Sequence, residues 1–115
     1  MDCNNKNYEE VPATELMPEF VREKLLKHSI DSTTGPILDA EVIVKYFNPF
    51  GRGRWLIIEG EEQNDGDWTL FGLCHIYEWE WGTVLLSELQ NAKLPYGRRI
   101  ERDLHSQGTV RELKE

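Results

Sequence analysis

The densest concentration of groups able to do chemistry is Glu78-Trp79-Glu80-Trp81. On a strand, alternation puts Glu78 and Glu80 on one face and Trp79 and Trp81 on the other. The two carboxylates would then stand about 6.8 Å apart. That separation suits an acid and a base with a water between them, as in inverting glycoside hydrolysis. Any exposed sheet face with alternating glutamates gives the same spacing, so the pattern alone does not make a hydrolase.

The other reactive side chains are weaker candidates. Cys74 and His75 are adjacent, so a strand points them to opposite faces and they cannot share one ion. There is no Cys-x-x-Cys and no His-Glu-x-x-His, and neither a metal nor a cofactor is expected. Ser87 falls at a helix start, where capping accounts for it. Cys74 sits in an apolar run with nothing to activate its thiol. Gly51-Arg52-Gly53-Arg54 lacks the full glycine spacing and the following helix of a phosphate loop, and reads as a hairpin connection. No catalytic residue is assigned.

Arg102 stands out for a different reason. If Ile100 to Leu104 is a strand, Ile100, Arg102 and Leu104 share a face, and Arg102 turns inward. A buried guanidinium needs a partner. Glu59 and Glu80, on neighbouring strands, are the expected carboxylates of a structural ion pair, and Arg102→Ala should destabilise the fold.

The elements that must position these residues follow from the pattern. Pro18 to His28 reads as a helix, with proline in its first turn and Lys24, Lys27 and His28 in its last. Val42–Phe47, Trp55–Glu59, Trp68–Ile76 and Tyr77–Leu86 read as strands. Asn64-Asp65-Gly66-Asp67 marks a tight turn. Ser87 and Gln90 form a capping-box pattern opening a short helix to Lys93, and Thr109 and Glu112 form a second one. Arg99 to His105 reads as a last strand. Nine of the twelve aromatics lie between Tyr46 and Trp81, as a sheet with an aromatic-rich face would require. The expected fold is α+β: an antiparallel sheet of four to five strands, an N-terminal helix, a short helix after the fourth strand and a short C-terminal helix. Residues 1–13 read as a frayed tail and 14–115 as one domain.

The chain has 115 residues and a net charge of −8, and all of that excess lies in one stretch. Between Trp55 and Ala92 there is no lysine or arginine, but there are eight acids: Glu59, Glu61, Glu62, Asp65, Asp67, Glu78, Glu80 and Glu88. Direct binding to nucleic acid is disfavoured, because phosphate attraction needs a basic footprint. A basic protein partner is favoured. No apolar run reaches the roughly 18 residues of a membrane span, and residues 1–10 have no signal-peptide pattern. With two unpaired cysteines, a cytoplasmic setting is expected.

Several of these residues also follow one another in a familiar order: Lys45, Phe47 and Pro49; Trp55 with Glu59; Phe71-Gly72-Leu73; Glu80 with Gly82; Leu86-Ser87-Glu88-Leu89; and Ile100-Glu101-Arg102-Asp103-Leu104. From about Met17 to Leu113 the chain resembles a family of small uncharacterised proteins, a domain of unknown function, encoded on bacterial plasmids, conjugative elements and phages. The resemblance implies a mobile-element setting and no assigned reaction. The tryptophans beside Glu80 and the charged hairpin from Glu59 to Asp67 depart from the usual pattern.

Three functions from different classes follow. The leading expectation is a non-enzymatic acidic protein that inhibits or adapts a basic nucleic-acid-binding host protein. Anti-defence activity, such as anti-CRISPR action or nucleic-acid mimicry, belongs to this class. Glu61, Glu62, Asp65, Asp67, Glu78, Trp79 and Trp81 would face the partner. The second is a structural or oligomer-forming domain, monomer or homodimer, using exposed Tyr77, Trp79 or Trp81. The third is a small hydrolase using the carboxylate pair or His105.

Overall fold

The computed structural model describes residues 11–114. Its architecture is α+β, built on a five-stranded antiparallel sheet of order β4-β3-β2-β1-β5. The strands are β1 (Val44–Phe47), β2 (Arg54–Glu62), β3 (Trp68–His75), β4 (Trp79–Leu85) and β5 (Glu101–Arg102). The helices are α1 (Glu19–Leu25), α2 (Leu86–Gln90) and α3 (Val110–Leu113).

Both sheet faces are covered, and the sequence provides an apolar set for each. Val44, Tyr46, Ile57, Trp68 and Leu70 face α1 and α2, where they meet Leu16, Val21, Leu25, Leu86, Leu89 and Ile100. Leu56, Ile58 and Leu73 face the opposite way, against Val42, Leu38 and Val110 at the start of α3. A bulge between Ile57 and Glu59 marks the change of register in β2. Beside it, β3 requires a glycine: a β-carbon on Gly72 would lie 1.9 Å from the Leu56 carbonyl oxygen.

Local chemistry sets where the elements stop. Asp103 Oδ1 accepts from His105 N–H at 2.9 Å, an Asx turn that takes the chain out of the sheet. The strand expected over Arg99–His105 is therefore only two residues long. At the hairpin tip Gly66 has φ +91°, and Asp65 Oδ1 accepts from Asp67 N–H at 3.0 Å. The capping box of Thr109 and Glu112 forms, at 2.8 and 3.2 Å. The other does not. Helix α2 begins one residue earlier, and Glu88, not Gln90, reaches back to Leu85 N–H at 2.9 Å.

The two edges of the sheet differ. Outside β5, Arg102 N–H donates to Ala13 C=O at 2.8 Å, so the segment before α1 covers that edge. Most of the tail expected over 1–13 lies outside the described residues; Val11 to Ala13 are held here. At the other end, β4 pairs with β3 and with no other described strand.

Candidate interaction surface

Arg102 is buried as expected, but its partners are not carboxylates. Its Nε donates to Glu15 C=O at 3.1 Å, and Nη2 to Pro12 and Val11 C=O at 3.3 and 3.4 Å. Its guanidinium also lies 5.2 Å from the Phe20 ring centroid. Burial draws its pKa below the ordinary value, against the influence of Tyr46 and Glu15. No described acid forms an ion pair with it. The expected pairing with Glu59 or Glu80 is corrected by sheet order. Arg102, Tyr46, Trp55, Cys74 and Glu80 form one row across the sheet. Glu80 thus shares the row but sits on the opposite edge strand, about 19 Å away at 4.8 Å per strand.

Glu59, only 3% exposed, holds a loop instead. Its two oxygens accept from Asp31 N–H at 2.9 Å and Thr33 N–H at 2.8 Å. Burial works against its charge, but the hydrogen bonds from Thr33 and Asp31, with His28 nearby, outweigh it and lower the pKa.

The remaining acids divide into engaged and free. Asp67 accepts from Ser87 Oγ–H at 2.6 Å, Ser87 N–H at 3.0 Å and Trp68 N–H at 2.8 Å. Those bonds, led by the Ser87 hydroxyl, hold its pKa down. Asp67 therefore ties the hairpin to α2, with both carboxylate oxygens engaged. It also accounts for Ser87, whose hydroxyl is engaged with Asp67 and not in capping. Glu62 pairs with Arg22 at 3.0 Å. Glu61, Asp65, Glu78 and Glu80 are exposed and form no ion pair with a described residue.

Glu78 lies in the bend before β4, so the regular strand spacing assumed for a Glu78–Glu80 pair does not apply. Trp79 and Trp81 do share a face, opposite His75 and Leu73. Trp79 packs beside His75, with centroids 4.8 Å apart. Trp81 stacks on Phe71 at 5.8 Å and 18° and remains 38% exposed. Cys74, on the other face, has its thiol pushed up to about 11 by burial and by Glu80, the reverse of the shift that activates a thiol.

A family model described as a protein of unknown function, DUF2958, matches residues 16–113. The chain belongs to the DUF2958 family. No curated protein and no solved structure matches it.

This DUF2958 protein also has a groove of about 760 Å³ between α1, β1 and residues 102–107. Lys45 and Asp103 meet there at 3.6 Å, and His105 is on its wall. Asp103 is partly buried, but bonds from Ser106, His105 N–H and Lys45 keep its pKa low. Sequence reasoning missed this pair. Lys45 and Asp103 both occur in the motifs of the family resemblance, but only the pairing of β1 with β5 puts 58 residues of separation into one contact. The described residues contain no group of three His, Cys, Asp or Glu side chains placed to hold a metal ion. None of their helices is long and apolar enough to cross a membrane.

Proposed function

We propose that this DUF2958 protein is a non-enzymatic binding protein whose partner docks on the outer face of the β3–β4 hairpin. The observation carrying the proposal is Trp81, 38% exposed and stacked on Phe71 on a strand whose outer edge pairs with no described strand. A flat aromatic pair at the centre of a polar rim is the usual make-up of a binding hot spot. Acids lie at both ends of this strand pair: Glu78 is in the turn joining β3 to β4, with Glu80 near it on the opposite face from Trp81, and Glu61 and Asp65 are at the far end, on β2 and in the β2–β3 turn.

The spacing of these acids favours a protein interface over nucleic-acid mimicry. The eight residues of β3 separate the two acidic ends by about 25 Å. A DNA strand carries a phosphate about every 3.4 Å. Four carboxylates over that span are too sparse to stand in for it, but they can select and steer a basic protein. In the mobile-element setting that the family resemblance implies, a basic host protein that acts on nucleic acid is the partner class, and anti-defence is the role.

The test is capture from host lysate on immobilised wild type, Trp81→Ala and Glu61→Lys/Glu80→Lys, with bound proteins identified. One basic protein should be retained by wild type, lost from both variants and eluted by salt. A captured set unchanged in both variants would overturn the reading. The unpaired β4 edge also favours a second reading, edge-to-edge pairing of two copies. Light scattering that reports a monomer at every concentration excludes it.

A further inference from the structure

We infer that the groove between α1, β1 and residues 102–107 binds a small organic carboxylate with an apolar body. The groove lies on the opposite side of the sheet order from β4, and the inference does not depend on the proposed protein partner.

Size and lining agree with a small-molecule site. About 760 Å³ falls within the usual range for ligand clefts. Val21, Ile43 and Val44 provide an apolar wall. Such a wall attracts the hydrocarbon part of a ligand but does not select its charge.

The charge comes from three cations against two anions: Lys24, Lys45 and Arg102 against Glu41 and Asp103. An excess of one positive charge in a protein of net charge −8 opposes the overall field. Lys24 and Glu41 neutralise each other at 3.2 Å. The excess therefore rests with Arg102 and Lys45. The hydrogen-bond partners of Arg102 among the described residues are main-chain carbonyls, and Glu15 acts on its charge without forming an ion pair with it. Lys45 approaches Asp103 only to 3.6 Å. Asp103 divides its carboxylate among Lys45, His105 N–H and Ser106. An ammonium has three hydrogens to donate, so Lys45 can give one to a ligand and keep Asp103.

The experiment is titration of the full ¹⁵N-labelled chain with octanoate, octanol and octylammonium, following amide shifts. Octanoate should give saturable shifts at Val42 to Lys45 and at Asp103 to Gln107. Octanol should bind roughly tenfold more weakly, the value of one charge-assisted hydrogen bond. Octylammonium should not bind. Lys45→Met, which keeps the stem and removes the charge, should weaken octanoate by a similar factor, and Lys45→Arg should restore it. The comparison of the three probes on wild type needs no variant, so it stands even if Lys45→Met disturbs the loop. Equal binding of octanoate and octylammonium, shifts centred on Trp81, or no saturable shift at millimolar octanoate would each overturn the inference.

Discussion

Arg102 and Glu59 are charges turned inward; Glu61, Asp65, Glu78 and Glu80 are charges left in water. The inward pair lies in the half of the molecule where main chain crosses the sheet. There each charge satisfies backbone that would otherwise be stranded: Arg102 takes carbonyls of the segment before α1, and Glu59 takes N–H groups of the loop after it. The outward set lies on β2, on β4 and in the turns at either end of β3, beside strands whose backbone is already satisfied by β-ladder bonds. A buried charge is tolerated when it replaces water for several main-chain groups at once. Where the ladder does that work, charges are free to face a partner.

The sharpest way to break this contrast is Arg102→Ala. It removes the donor for three carbonyls and the contact with Phe20, and should cost about 3 kcal/mol. Urea denaturation measures it, and an unchanged midpoint would show that the segment before α1 is held by other means.

Glu59→Gln comes next, at about 1–2 kcal/mol near neutral pH, because it keeps the shape and loses the charge. Its pH dependence is a separate check. The folded pKa lies below the ordinary value of 4.5. The stabilisation from Glu59 is therefore full above that value, and is lost as pH falls through the folded pKa. Wild type and variant should converge in stability on acidification; a gap that persists at low pH would assign the effect to shape.

Asp65 and Asp67 test the contrast within one turn. Asp67→Ala should lower the melting temperature clearly more than Asp65→Ala, since only Asp67 bridges to Ser87. Equal losses would mean the bridge to α2 contributes nothing.

The smallest effect on stability belongs to Glu61→Lys or Glu80→Lys, within about 0.5 kcal/mol. Their effect should appear only in partner capture and its salt dependence. A large loss of stability would move these residues into the inward group.

Much of this architecture is legible in the residues. The two-residue alternation of Trp79, Trp81 and Glu80, the Asp-Gly turn at Asp65-Gly66 and the capping box at Thr109 are local, and each forms as read. The run from Trp55 to Ala92 fixed where the negative charge would lie. The partner of Arg102 could not be read, because strand order decides it: two residues on one row can be neighbours or lie about 19 Å apart. Glu59 could not be read either, because the bulge in β2 and the path of residues 31–33 decide what its carboxylate meets. The Lys45–Asp103 pair, and the groove it lines, exists only because a two-residue β5 pairs with β1. Composition and spacing thus determined what kinds of surface this chain owns. The register and order of the sheet decided which charges meet, since contacts between distant residues depend on distances that no local pattern encodes.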